Sequence, residues 1–165
     1  MNVQITDYVD VKRRALELGC NEPRELCILP RNFDTAKSRD ELIHESSTAT
    51  VRVLWKQAGI QETKTEKEGE KFLQISEKQF IGWVGPTIFV GASLLSQNPN
   101  LISIALGVIS NYLTDWFKGA VGDKRAKLDI VIEMAGNKYK RVRYEGNVDG
   151  LKELPKILHE VRPDE

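Results

Sequence analysis

Residues 79–114 run for 36 positions without a charged side chain, in a chain of which 29% is Asp, Glu, Lys or Arg. Ile, Leu, Val, Phe and Trp crowd that run, and a surface of this kind left bare in water associates. It must be sheltered in the fold, in a partner or in a bilayer. The turn signal NPN at 98–100 divides it. Pro86 suits the first turn of a helix, so PTIFVGASLLSQ predicts one arm of a helical hairpin and LISIALGVISNYLTDWF the other. Each arm has at most about seventeen residues, near the lower limit for crossing a hydrocarbon layer of about 30 Å.

On the second arm, Ser103, Gly107, Ser110, Asn111, Thr114 and Lys118 step by three or four and gather on one stripe, while apolar residues cover the rest. Ser103, Gly107 and Ser110 would let another helix come close. Trp83, Tyr112, Trp116 and Phe117 are the candidate contact anchors, because aromatic residues concentrate interface energy. Their placement toward the ends also suits a bilayer interface, whereas Asn98, Pro99, Asn100 and Asn111 oppose insertion. The polar stripe favours shelter against protein. Insertion of residues 80–117 into a membrane is the alternative.

The 165 residues suit one domain, with residues 61–71 as the place for any internal boundary. That stretch, QETKTEKEGEK, has no apolar anchor and predicts a solvated loop or protruding hairpin tip outside any core. Lys plus Arg equals Asp plus Glu at 24 each, so no global field draws the protein to nucleic acid or anionic lipid. The opening MNVQITDYVDVKRR lacks the pattern of a secretory signal, and a cytoplasmic location is expected, with membrane association as the alternative. Cys20 and Cys27 match neither zinc nor redox spacing and are expected as small buried apolar residues.

Toward the amino terminus, Tyr8, Val11, Ala15 and Leu18 predict a short amphipathic helix capped by Gly19. The segment ELCIL before Pro30 predicts a buried strand. Ser38 and Glu41 form a capping-box pattern, and one helix over 39–58, stopping at Gly59, is the economical reading. The β-branched run SSTATVRV offers the alternative of a break, or a strand, near Ser46. FLQIS predicts a further short strand.

The carboxy-terminal part has the period of a hairpin. Leu128, Ile130, Ile132 and Met134 alternate with polar or outward residues, and YKRVRYEG returns after GNK. A three-residue loop placing Ile132 opposite Val142, Ile130 opposite Tyr144 and Glu133 opposite Arg141 keeps the apolar residues together. Asn147 or Asp149 then caps a last helix with Leu151, Leu154, Ile157, Leu158 and Val161 on one face, which starts or kinks at Pro155. The basic run KYKRVR is offset by Asp129, Glu133 and Glu145, so nucleic acid is not the expected partner.

No motif for catalysis is found. His44 has Glu45 and Ser46 as neighbours, which point to different faces of a helix, and His159 suits a helix end. Gly-rich phosphate loops and paired metal ligands do not occur, so no cofactor, metal or catalytic residue is expected. The order LISIALGVISNYLTDWFKG, LDIVIEMAGNKYKRVRYEG, VDGLKELPKIL, over about residues 100–160, resembles the small effector-associated constant components of bacterial conflict systems. That resemblance implies a non-catalytic accessory subunit acting beside an effector, such as a protease or other toxic enzyme, in bacterial defence. The expected fold is α+β, with an apolar helical hairpin packed on a small, mainly antiparallel sheet with flanking helices. The expected role is that of a binding or adaptor component that contacts a protein partner or itself.

Overall fold

The computed structural model describes residues 2–77, 80–119, 122 and 124–162. In chain order the elements are β1 (Asn2–Tyr8), α1 (Val11–Leu18), β2 (Leu26–Leu29), a 3-10 turn (Arg39–Glu41), β3 (Ile43–Glu45), α2 (Thr48–Gln57) and β4 (Thr63–Lys64). There follow β5 (Leu73–Ile75), β6 (Trp83–Val90), α3 (Ala92–Gln97), α4 (Pro99–Trp116), β7 (Arg125–Glu133), β8 (Tyr139–Asn147), a 3-10 segment (Val148–Glu153) and α5 (Leu154–Val161). Six strands form one sheet in the order β1-β8-β7-β6-β2-β4, and β3 with β5 forms a separate parallel pair. Within the large sheet β6–β7 and β2–β4 are parallel and the other pairs antiparallel, giving an α+β fold with a mainly antiparallel sheet.

The two faces of that sheet bury two cores. Ile28, Ile88, Val90, Leu128, Ile130, Ile132, Val142 and Tyr144 point to the side covered by α2, α3, α4 and α5. Cys27, Leu29, Phe89, Val131 and Tyr139 point to the other side, under α1, Phe33 and Phe72. The alternation of neighbours such as Ile130 and Val131 between the two clusters is the period of two that a strand imposes.

The uncharged run divides differently from the expected helical hairpin. Its first residue, Gln79, lies outside the described residues. Residues 83–90, expected to enter a helix at Pro86, form β6 instead, and only the six-residue α3 is left to pair with α4. A central strand covered on both faces reads as a continuous apolar run, and WVGPTIFV is such a run. Pro86, which has no N–H to give a ladder, sits where the β6–β7 register shifts between Val84 and Thr87. Much of the run thus finds shelter against protein, with β6 at the centre of the sheet and the inner face of α4 across it, while Ile81 and Ile104 stay exposed.

Two further expectations are corrected. The single helix over 39–58 is broken, as the alternative reading allowed: α2 begins only at Thr48, and residues 43–45 are strand, held by Arg31 N to Ile43 O (2.9 Å) and Ile43 N to Asn32 Oδ1 (2.9 Å). The Glu41 carboxylate accepts from Lys37 N (3.0 Å) instead of closing a capping box. In the carboxy-terminal hairpin the three-residue loop lies one position earlier than expected, over 135–137, closed by Met134 N to Lys138 O (2.7 Å). Gly136 (φ 72°) and Asn137 (φ 58°) take the left-handed backbone that this turn needs. Pairing therefore moves by two residues, to Ile130–Val142, Leu128–Tyr144 and Val131–Arg141, which leaves every side chain on its expected face.

Tyr8, expected on the first helix, is instead the last residue of β1, a strand that the helical spacing did not predict, and α1 begins at Val11. Gly19 (φ 69°) closes α1, β2 lies where ELCIL placed it, Asn147 caps the segment at 148, and α5 starts with Pro155 in its first turn.

Candidate functional site

The outer side of α4 is the most distinctive surface. Ile102, Ala105, Leu106, Ile109, Ser110 and Leu113 face the core, and Trp55 Nε1 donates to Ala105 O (3.1 Å), fixing α2 against α4. Outward lie Asn100, Ser103, Ile104, Asn111 and Thr114, with Gly107, Val108 and Tyr112 half-buried beside them. No charge occurs on this helix before Asp115. Ile104 and Trp116 are each 52% exposed. A methyl group added at Gly107 would meet nothing within 4 Å, so no packing in the monomer calls for glycine there.

The residues singled out from the sequence separate on this scaffold. Trp83 and Phe117 are buried members of the core, Tyr112 is half-buried against it, and Trp116 stands outside with its ring edge-on to Phe117 at 4.7 Å. Ser103 and Gly107 share the outer stripe, but Ser110 faces inward, its hydroxyl without a hydrogen-bond partner, while its carbonyl accepts from Thr114 Oγ1 (3.0 Å). Burial takes Trp83, Phe117 and Ser110 away from any surface that another molecule could touch in this conformation.

A second arrangement was not legible in the sequence. The charged stretch 61–71, expected outside any core, buries Thr65 and Glu66. Glu66 Oε2 lies 2.6 Å from Arg52 Nη1 and Oε1 3.1 Å from Nη2, while Arg52 Nε reaches Glu62 Oε1 at 2.8 Å. His44 Nε2 is 3.3 Å from Glu66 Oε1, and its ring tilts against Phe72 at 5.3 Å. Charged groups can be buried when each has a partner, which is how a stretch without apolar residues joins the interior. Burial pushes the Glu66 carboxyl up, and His44 with Arg52 more than reverses this, holding it well below the usual carboxylate range. Burial pushes the Glu62 carboxyl up, against the opposing pull of Arg52.

His44, Arg52, Glu66 and Phe72 line a concave pocket of about 580 Å³, together with Lys64, Lys67, Glu68 and Lys71. His44 is 1% exposed, and neither of its ring nitrogens makes a hydrogen bond of good geometry, Nε2 included despite its closeness to Glu66. The neighbouring hydroxyl, Thr65 Oγ1, is already spent on Glu66 Oε1 (3.2 Å), and no acid–base–nucleophile set is completed. Among the described residues no group of three or more His, Cys, Asp or Glu side chains stands close enough to hold a metal ion.

Another concavity, about 320 Å³, lies on the α1 side of the sheet, where Arg31–Glu45, Lys127–Glu77 and Arg143–Asp129 form three ion pairs. The Arg143–Asp129 pair is bidentate at 2.8 and 2.9 Å and follows from the observed hairpin register. Each cation there is already matched, so the pocket offers a ligand no unpaired charge.

Fold and surfaces together define an α+β domain built on a mixed six-stranded sheet, with an uncharged helix face and a buried ion-pair cluster. No family model, curated protein or solved structure matches the chain. No helix among the described residues is long and apolar enough to cross a membrane.

Proposed function

We propose that the chain is a non-catalytic binding or adaptor component that acts through protein–protein contacts made by the outer face of α4. One observation carries the reading: an exposed helix face free of charge from Pro99 to Thr114, in a protein otherwise rich in charge. Ile104 and Trp116 supply the apolar anchors, Asn111 and Thr114 supply hydrogen-bonding groups, and Gly107 leaves room for a close approach. In line with the resemblance of residues 100–160 to accessory components of bacterial conflict systems, the partner assigned here is a defence effector. Membrane insertion of residues 80–117 is the weaker reading, because it would pull β6 from between β2 and β7.

The test is co-purification with the products of neighbouring genes, using the full chain and the variants Ile104→Lys and Trp116→Glu. Retention of an effector by the native chain, lost in both variants while their circular dichroism is unchanged, is the expected result. Retention that neither substitution weakens would overturn the assignment of this face. Flotation of the native chain with vesicles of phosphatidylethanolamine and phosphatidylglycerol, without any retained protein, would replace the reading with the membrane one.

A further inference from the structure

We infer that two copies of the chain pair edge to edge through β1, antiparallel about a two-fold axis at Ile5, which extends the sheet across the dimer. This goes beyond the α4 contact and uses a different surface. β1 is an outer strand of the large sheet, in register with β8 over all seven of its residues, Asn2–Tyr8 opposite Glu145–Tyr139.

The hydrogen-bond parity of the sheet shows which groups on β1 are left over. Met134 N bonds Lys138 O across the hairpin turn, so in the alternation of an antiparallel ladder Lys140, Val142 and Tyr144 turn their backbone groups toward β7. Tyr139, Arg141, Arg143 and Glu145 therefore turn theirs toward β1, where their partners are Tyr8, Thr6, Gln4 and Asn2. Val3, Ile5 and Asp7 are left with N–H and C=O directed away from the sheet. Unpaired edge groups of this kind form a template for another strand.

Of the features that commonly blunt such an edge the strand carries one charge, Asp7, which is already paired with Lys140 of its own chain. NVQITDY contains no Pro, Gly or Lys, and its register with β8 runs without a bulge. At the opposite edge β4 is only two residues long. Ile5, paired with Val142 on the helix-covered side, is 49% exposed.

The occupant that fits is a second β1. An axis at Ile5 sets Ile5 opposite Ile5, and Val3 opposite Asp7, so all the outward groups meet their counterparts in about six N–H···O=C bonds. Shifting the axis to Gln4 or Thr6 leaves part of them unmatched. On the other face Gln4 meets Thr6 and Asn2 meets Tyr8. No like charges stand opposite each other: Asp7 is the one charged residue of β1, and its carboxylate is already bonded to Lys140 Nζ of its own chain. With a net charge of zero, two copies meet no long-range repulsion. The dimer would present two α4 faces to a partner, which raises avidity without a new contact.

Sedimentation velocity over about a hundredfold range of concentration tests the pairing. The native chain is expected to move from monomer to dimer mass, and Ile5→Lys, which sets two ammonium groups at the axis, to remain monomeric. The register is read by mild oxidation: Ile5→Cys should cross-link to its own copy, because paired positions bring Cα atoms about 5.5 Å apart, within disulfide reach. Val3→Cys alone should not, whereas Val3→Cys with Asp7→Cys should. Monomer mass throughout, a dimer that survives Ile5→Lys, or cross-linking of Val3→Cys as readily as Ile5→Cys would each overturn the inference. Where Ile5→Lys disturbs folding, the cross-linking pattern decides alone.

Discussion

Arg52 on α2 grips Glu66 with both terminal nitrogens, at 2.6 and 3.1 Å, and so draws the charged stretch after β4 onto the helix. A two-pronged guanidinium–carboxylate pair fixes direction as well as distance. Removing the acid strands part of the Arg52 charge in a half-dry site, although Glu62 still engages its Nε. Glu66→Ala is therefore expected to cost about 2–3 kcal/mol, read as a fall in the urea midpoint at unchanged slope.

Acid should weaken this pair with a defined sign. The folded-state pKa of Glu66 is depressed, so its contribution is full above the unfolded value of about 4.5 and is lost as pH falls through the folded value. Glu62 is shifted upward and acts in the opposite sense, its cost appearing as pH rises past that point. Glu66→Gln should flatten the fall in stability that sets in as pH drops below about 4.5. An unchanged pH profile in that variant would show that the pair is not what acid attacks.

The junction of α2 and α4 rests on Trp55, wholly buried, with its indole bonded to Ala105 O. Trp55→Phe should lose about 1 kcal/mol for the bond and more for the volume, and Trp55→Ala about 3–5 kcal/mol. Equilibrium unfolding followed by far-ultraviolet circular dichroism measures both.

Two glycines should respond with opposite signs. Gly107 has open space around it in a helix, so Gly107→Ala is expected to stabilise the monomer by about 0.5–1 kcal/mol. The same change should weaken effector retention if α4 is the contact. Gly82 has φ 138°, and a Cβ there would stand 2.5 Å from Arg125 O, so Gly82→Ala should lower the thermal midpoint.

Cys27 is fully buried on β2, and burial pushes its thiol up to about 12. Native alkylation at pH 8, a condition about four units below that value, should label it only as fast as the chain opens. Rapid labelling of Cys27 in the folded protein would contradict its place in the core.

Where one element carries its own period, the sequence was readable. The face of α1 and its closing Gly19, the alternation of β7 and β8, and the start of α5 at Pro155 depend on neighbours within a turn or a strand pair. Residues 83–90 were not readable in this way, because a continuous apolar run fits a buried helix and a central strand equally. Neither was β1, whose exposed edge gains its place from β8. The cluster of His44, Arg52, Glu62 and Glu66 had no local signal at all: its members come from β3, α2 and the loops flanking β4.

The order of residues alone decided that an uncharged middle had to be covered and that the last third would be a hairpin and a helix, since hydrophobic period and turn chemistry act over a few residues. Tertiary structure alone decided which half of that middle became a central strand, which aromatic residues stayed outside, and which charges went in. Those outcomes turn on partners far apart in the chain, and burial of a charge or a backbone edge is settled only when its partner arrives.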